Sequence, residues 1–280
     1  MLGISIDMNT KPLTIGDKRR TTVPTSIFGL KTTIMKIFFK EFYLLVIITI
    51  VLSACKNENN KGVVVDENEI IQEVSVITED LQSKLTPDTV LYHLKKGNTD
   101  YIENNLTIRN TLARIRVASL GQYPAAVVLS CMDSRVPVED IFHAGIGDLF
   151  VVRVAGNISN PDILGSLEYG CKVSGAKVIV VLGHEHCGAI KSAIQDVKLG
   201  NITELLTKIK PAIENVQDFS GEKNYNNLAY MEAVTNSNIR LTIENIRKES
   251  PILKEMEDKG EIKIVGAEYR METGKVDFFE

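Results

Sequence analysis

Short apolar runs alternate with longer amphipathic stretches along the second half of the chain. The runs 125–130, 149–154 and 176–182 are nearly continuous in apolar residues and rich in valine. Such runs are typical of strands that are buried on both faces, as they are in a parallel sheet. The pattern therefore predicts an α/β fold in which helices flank a mostly parallel central sheet.

Helix signals lie between these runs. Asn160 and Pro161 are a capping residue and a first-turn proline ahead of apolar residues at four-residue spacing, so a helix is expected to begin there. Asn201 is likewise expected to open an amphipathic helix. That helix would carry the apolar residues Leu205, Leu206, Ile209 and Ile213.

The last part of the chain contains one more helical stretch and a hairpin. The helical pattern runs from about 226 to 248. Two strand-like runs, 261–269 and 275–279, flank the turn Thr273-Gly274 and predict a terminal hairpin.

The chain before residue 76 has a different pattern. Lys36 and Lys40 precede an apolar run from 42 to 52, and the sequence Leu52-Ser53-Ala54-Cys55 matches the bacterial lipobox. The run is too short to span a bilayer comfortably, which favours a lipoprotein signal peptide at 35–54 with lipid attachment at Cys55. An uncleaved membrane anchor is the alternative.

The chain is predicted to have four regions, of which the signal peptide is the second. Residues 1–34 are an upstream extension of unknown role, and residues 55–75 are rich in Asn, Glu, Lys and Asp, which predicts a flexible tether. Residues 76–280 form the expected folded domain. This organisation predicts a protein that is lipid-anchored to the membrane in the bacterial cell envelope, on the periplasmic side.

Composition narrows the class of partner. The formal net charge is -4, which argues against binding nucleic acid because phosphate binding requires a basic surface. The four cysteines are scattered through 280 residues, unlike the dense framework of a disulfide scaffold. The cysteines are therefore expected to have separate roles.

Candidate metal ligands follow two of the predicted strands. Cys131, Asp133 and Arg135 alternate directly after one strand, and His184 and Cys187 follow another. Ligands in parallel sheets gather at the carboxyl ends of strands, and zinc is commonly bound by thiolate and imidazole with one position left open. We predict one zinc ion per subunit, held by Cys131, His184 and Cys187. Ordinary buried thiols and a hydrogen-bonded histidine are the alternative.

The residues around these ligands have their own predicted roles. Alternation in an extended segment puts Cys131, Asp133 and Arg135 on one side, where Asp133 and Arg135 by themselves could form a simple surface ion pair. Gly183 and Gly188 flank the second motif and are expected to permit a tight backbone around it.

The two motifs resemble those of a known enzyme family. SCMDSRVP at 130–137 and GHEHCGA at 183–189 look like the zinc motifs of the β-class carbonic anhydrases. The resemblance covers roughly residues 85–280. It continues through the segments GQYP at 121–124, GDLFVVR at 147–153, EYGC at 168–171 and ETGK at 272–275.

The resemblance implies a fold and an activity. The fold would be a mostly parallel sheet with an antiparallel C-terminal edge strand, assembled as a homodimer or a higher even oligomer. The activity would be reversible hydration of CO2 to bicarbonate and a proton, by attack of zinc-bound hydroxide.

The resemblance also implies roles for individual residues. Asp133 would accept a hydrogen bond from the zinc-bound hydroxide while Arg135 holds it, since a guanidinium fork fixes a carboxylate as lysine cannot. Gln122 would donate to a substrate oxygen, and Phe150 and Tyr169 would form aromatic walls of the substrate pocket. The family's tryptophan-based bicarbonate site is not expected, since the chain has no tryptophan. His143 and His186 are candidates for proton transfer or are simply solvated.

Two further functions remain open on the sequence alone. One is hydrolysis of a CO2-like molecule, carbonyl sulfide or carbon disulfide, with the same ligands and the same Asp133–Arg135 pair. The other is a non-catalytic zinc-binding scaffold, although such a scaffold would have no need of Asp133 and Arg135.

Overall fold

A five-stranded sheet lies at the centre of the structure, with strand order β2-β1-β3-β4-β5. The first four strands are parallel, and β5 pairs antiparallel with β4 at one edge. This arrangement confirms the predicted fold class, including the terminal hairpin. The strands are β1 (Ala126–Ser130), β2 (Leu149–Arg153), β3 (Val178–His184), β4 (Lys263–Tyr269) and β5 (Val276–Phe278).

The computed structural model of the protein describes residues 76–105 and 111–279. The predicted upstream extension, signal peptide and tether, with Cys55, lie outside the described residues. Among the helices of 76–105 and 111–279, none combines the length and the apolar character that crossing a membrane requires.

Helices cover both faces of the sheet. The helices before β3 are α1 (Glu79–Lys84), α2 (Pro87–Ile102), α3 (Thr111–Ala118), α4 (Val138–Ile141) and α5 (Pro161–Glu168). The helices after β3 are α6 (Gly188–Ile194), α7 (Gly200–Thr207), α8 (Lys210–Glu214), α9 (Leu228–Glu249) and α10 (Pro251–Asp258). A 3-10 turn (Ala155–Asn157) precedes α5, and a π-helical turn (Tyr169–Val173) follows it.

The inner strands are buried on both faces, as their continuous apolar runs predict. On one face, alternate residues of β1 and β3 such as Val127 and Ile179 pack against α5, α9 and α10. On the other face, Val128 and Val180 pack against α2 and α4. A third apolar cluster, formed by α6 to α9, surrounds Cys131 and Cys187.

The helix signals are confirmed at α5 and wrong at α7. The Asn160 side chain accepts a hydrogen bond from the Ile163 backbone N–H, which is the predicted cap. By contrast, α7 begins at Gly200 after an uncapped Leu199, so Asn201 lies inside the helix. The predicted single helix is also two, because α8 carries Pro211 in its first turn and proline has no N–H to donate to the carbonyl of Thr207.

The two glycines beside the second motif differ in their surroundings. A Cβ at Gly183 would lie 2.6 Å from Cδ1 of Ile239, so this glycine lets α9 approach β3 closely. A Cβ at Gly188 would meet nothing within 4 Å. Neither glycine has a positive φ, so the expected tight backbone is wrong for both, and Gly183 is needed instead for the approach of α9.

Candidate metal centre

The candidate ligands lie where the chain leaves neighbouring strands in opposite directions. From β1 the chain continues to β2 on one side, whereas from β3 it continues to β4 on the other. Such a switch point leaves a crevice at the carboxyl ends of the two strands, which is where open α/β sheets bind ligands. Cys131 follows the last residue of β1, His184 ends β3, and Cys187 directly precedes α6.

Three buried side chains converge in this crevice. The ligand atoms of Cys131, His184 and Cys187 all lie within 4.8 Å of one another. The two sulfurs are 4.0 Å apart. Two thiolates bound tetrahedrally at the usual zinc–sulfur distance lie roughly 3.8 Å apart, so the spacing fits a zinc-sized ion.

His184 is oriented to present one ring nitrogen to this group. Its Nδ1 lies 2.8 Å from the backbone carbonyl oxygen of Glu185, so Nδ1 carries the proton and donates it. Its Nε2 is buried and has no hydrogen-bond partner in the described part of the chain. A buried nitrogen without a partner is costly, and a metal ion would resolve that cost. The two sulfurs and the imidazole nitrogen therefore fit a metal ion that prefers nitrogen and sulfur ligands.

The environment of the thiols favours a thiolate. The hydrogen bond from the Cys187 thiol lowers the pKa of Cys131 well below its usual value. The backbone N–H of Gly156, in the 3-10 turn, also points at Cys131 Sγ at 3.4 Å. Cys171, outside this group, is different, because burial raises its pKa to about 12. The hydrogen bond to Cys131 and burial raise the pKa of Cys187, so the pair favours one thiolate, at Cys131, and the thiolate is the form that binds a metal.

Asp133 and Arg135 form a two-pronged ion pair beside the ligands. Arg135 donates from Nε and Nη2 to the two carboxylate oxygens of Asp133, each at 2.9 Å, and its backbone N–H donates at 3.0 Å. These hydrogen bonds hold the pKa of Asp133 well below its usual range. The same carboxylate lies 3.9 Å from Nε2 of His184, so an ionised group borders the metal position.

Comparison with known proteins shows which family the chain belongs to. The sequence model of the family described as carbonic anhydrase matches residues 126–276, which is more than half of the chain and contains all three ligands. Carbonic anhydrase 2 of Mycobacterium tuberculosis is 30% identical over 188 residues, covering 65% of this chain and 87% of the relative. The chain belongs to the β-carbonic anhydrase family.

Solved β-carbonic anhydrases share the fold. The structure of CcaA aligns with a TM-score of 0.54 and 26% identity, covering 68% of this chain and 95% of that one. One of two tetrameric β-carbonic anhydrases from Sordaria macrospora aligns with a TM-score of 0.55 and 22% identity, covering 69% of this chain and 97% of that one. The second likeness concerns the fold alone.

The predicted pocket residues do not meet the metal ligands within this β-carbonic anhydrase chain. The rings of Phe150 and Tyr169 are 6.4 Å apart, edge to face, and line a groove between β2 and α5. None of the metal ligands lines that groove. Gln122 is exposed in the loop before β1, and within the described residues no hydrogen bond links its side chain to the metal centre. The substrate roles of these three residues stay predictions.

The two candidate histidines for proton transfer lie in different places. His186 is exposed one residue before Cys187, in the left-handed backbone region with φ of 56°. His143 lines a cavity with Ala125 and Leu149, at the amino ends of β1 and β2. Because the ligands lie at the carboxyl ends, His143 is at the wrong end of the sheet for proton transfer.

One arginine near the centre was not predicted to have a role. Arg153, the last residue of β2, donates from Nε to the carbonyl oxygen of Cys131 at 3.0 Å and from Nη2 to that of Asp133 at 2.6 Å. It thus holds the loop that carries both residues. The sequence signals for Arg153 were a charged residue that closes an otherwise apolar strand and its place in the segment GDLFVVR.

Proposed function

We propose that this β-carbonic anhydrase catalyses the reversible hydration of CO2 to bicarbonate and a proton, with zinc held by Cys131, His184 and Cys187. The convergence of two sulfurs and one unpartnered imidazole nitrogen supports this most strongly. Three such ligands leave one coordination position for solvent. Zinc, when bound, makes water a nucleophile near neutral pH.

The chain's own residues would orient that nucleophile. An ionised carboxylate accepts a hydrogen bond but cannot donate one. Asp133 would therefore accept a hydrogen bond from a water-derived hydroxyl group, which leaves an oxygen lone pair of that group directed at CO2. Arg135 keeps both carboxylate oxygens occupied and so prevents Asp133 from moving toward the ligands. Because His184 is fully buried, bulk water does not compete for its Nε2.

A stopped-flow CO2 hydration assay, with zinc content measured on the same samples, tests this proposal. We expect the Asp133→Asn variant to retain zinc and to lose roughly a hundredfold in kcat, since it loses a fixed acceptor. The Cys187→Ala variant should lose both zinc and activity. Cys171→Ala is the matched control, because Cys171 is a buried thiol outside the ligand group, and it should keep both.

Two outcomes would contradict the proposal. Zinc-loaded wild-type protein that hydrates CO2 no faster than buffer would indicate a non-catalytic zinc scaffold. Faster release of sulfide from carbonyl sulfide than hydration of CO2 would indicate the hydrolase.

We further propose that the protein is a homodimer or a higher even oligomer. The outer strand β2 supports this, because its apolar residues Phe150, Val151 and Val152 are only partly buried. The aromatic ring of Tyr169 lies beside them and is 54% exposed, so together these residues form an exposed apolar patch. Light scattering of the purified protein tests this, and a monomer at micromolar concentration would contradict it.

We also propose that the mature protein is anchored to the cell envelope through lipid on Cys55. This proposal rests on the sequence of residues 35–55. Mass spectrometry of the native protein tests it. An acylated N-terminal Cys55 is the expected result, and an unmodified N-terminus at Met1 would contradict it.

A further inference from the structure

The residue after the ligand His184 is fixed to the β4–β5 hairpin at three points. The Glu185 carboxylate accepts from Nη1 of Arg270 at 3.1 Å and from the backbone N–H of Met271 at 2.8 Å. Its own backbone N–H donates to the carbonyl oxygen of Tyr269 at 3.1 Å. Both the side chain and the backbone of Glu185 are therefore held in place.

The part of Glu185 that faces the metal centre is its carbonyl group. This oxygen accepts the Nδ1 proton of His184 at 2.8 Å. That hydrogen bond selects the ring tautomer and directs Nε2 toward the two sulfurs. Groups that hydrogen-bond to the far side of a ligating histidine commonly change metal affinity 10–100-fold when they are lost.

Arg270 is itself held more firmly than a bond to Glu185 alone requires. Its guanidinium contacts Glu232 on α9 at 2.7 Å, Asp277 on β5 at 2.8 Å and Glu268 on β4 at 3.3 Å. Four carboxylates thus surround one arginine that is about three-quarters buried. A charge that is hydrogen-bonded from several sides has little freedom to move.

The carboxylates exceed what balancing one positive charge requires. Glu268 is completely buried beside Arg270. An ion-pair cluster that only stabilised the hairpin would need fewer carboxylates, since burying a carboxylate is costly even when it is paired. The arrangement instead suits a requirement that Arg270 stay in one position.

We propose that Arg270 is a positioning residue for the metal ligand His184, acting through Glu185. The guanidinium fixes the Glu185 carboxylate, the fixed residue holds its carbonyl in place, and that carbonyl orients the imidazole. The inference rests on the proposed function in one respect, that Cys131, His184 and Cys187 hold a metal ion. It does not depend on which reaction the metal supports.

Metal retention separates this role from a purely structural one. The full protein would be prepared as Arg270→Gln, Arg270→Lys, Glu185→Gln and the double variant Arg270→Gln/Glu185→Gln. The rate of zinc release to a chelator at fixed pH would be measured for each. The absorption spectrum of the cobalt-substituted protein would report the geometry at the metal. The melting temperature would report stability.

The control is Arg247→Gln. Arg247 forms a comparable two-pronged pair with Glu257, at 2.8 and 2.7 Å, between α9 and α10. It contacts none of the metal ligands. Its loss should lower the melting temperature without changing zinc release or the cobalt spectrum.

We expect both Arg270→Gln and Glu185→Gln to release zinc at least tenfold faster and to shift the cobalt spectrum. The double variant should release zinc no faster than the faster single variant, since both act through one carbonyl. Arg270→Lys keeps the charge and guards against a variant that fails to fold, and it should fall between wild type and Arg270→Gln. Zinc release and spectra unchanged from wild type in Arg270→Lys and Glu185→Gln would overturn the proposal.

The outcome is distinguishable from failure of the proposed function. Wild-type protein that holds zinc but does not hydrate CO2 contradicts the proposed reaction, while zinc release still tests the role of Arg270. Wild-type protein that hydrates CO2 while Arg270→Gln and Glu185→Gln release zinc normally overturns only the positioning role. Wild-type protein that binds no zinc overturns both.

Discussion

Asp133 owes both its charge and its position to Arg135, two residues along the chain. Three hydrogen bonds from Arg135 reach its carboxylate, one of them from the backbone. Asp133 is mostly covered, whereas more than half of the Arg135 side chain is exposed. The geometry of the fork, rather than burial, therefore keeps the carboxylate ionised.

Replacing Arg135 should release Asp133. We expect Arg135→Lys to lower kcat/KM for CO2 hydration by about tenfold or more, because lysine is a point charge that cannot engage both oxygens. The zinc content should not change. Stopped-flow kinetics beside metal analysis measure both. Lys208→Gln, which breaks an exposed pair with Glu204 at 2.9 Å, is the control and should behave like wild type. Full activity of Arg135→Lys would contradict this role.

Functional residues that lie close together in the sequence could be predicted from the sequence alone. Cys131, Asp133 and Arg135 alternate within five positions, and this pattern is visible without a structure. The contact between Glu185 and Arg270 joins residues 85 positions apart. No local pattern predicts that contact, because it exists only once the β4–β5 hairpin packs beside the end of β3.

Among the secondary-structure elements, α9 approaches β3 closely enough to require glycine. Ile239 and Thr235 on α9 contact the position where a Cβ of Gly183 would lie. This contact puts the helix directly behind His184, the next residue of the strand. The close contact between α9 and β3 therefore lies next to a metal ligand.

Alanine substitution tests this spacing. We expect Gly183→Ala to lower the free energy of unfolding by about 1–3 kcal/mol, because the added methyl group forces Ile239 or the helix to move. Gly188→Ala is the matched control, and its effect should stay within about 0.5 kcal/mol, since nothing lies within 4 Å of the added atom. Urea denaturation measures both variants. Equal midpoints for the two variants would show that the helix adjusts freely.

Element types were easier to predict than their ends. The capping residue Asn160 and the following Pro161 define the start of α5 by local chemistry, so the sequence is sufficient there. The break between α7 and α8 was missed because the apolar spacing continues through it, and Ile209 remains fully buried on the far side. The π-helical turn after α5 was also missed, since apolar periodicity does not distinguish it from an α-helical turn.

For the molecule as a whole, Glu268 links stability to pH. Burial is the main cause that raises its pKa from 4.5 to about 7. The folded state therefore keeps a proton that the unfolded chain releases above its own pKa. The free energy of unfolding should fall as the pH rises through the window from 4.5 to 7. Above that window the whole destabilisation by ionised Glu268 is present.

The Glu268→Gln variant should remove this dependence. We expect it to be more stable than wild type at pH 8, by on the order of 2–3 kcal/mol, and close to wild type at pH 4.5. Chemical denaturation at several pH values measures the difference. Glu255→Gln is the control, since Glu255 is exposed and Lys259 lowers its pKa by a hydrogen bond. Parallel stability curves for wild type and Glu268→Gln would contradict the assignment.

The sequence predicted the class of the fold but not the order of its strands. Continuous apolar runs indicate strands buried on both faces, yet β1 and β3 have similar runs and neither run specifies its neighbours. The order depends on how the connecting helices pack on the sheet, which no single run specifies. Once the order is known, the meeting of Cys131 with His184 follows, because β1 and β3 are adjacent.

The two outer strands of the sheet differ in length and in chemistry. β2 has five residues, whereas β5 has three and includes Asp277, which pairs with Arg270 and Lys275. A long unpaired strand is a template on which further chains can be added. Only the β2 edge of this sheet provides such a template. If two copies join through β2, each covers the free edge of the other. Growth by strand addition is therefore self-limiting and would stop before a filament forms.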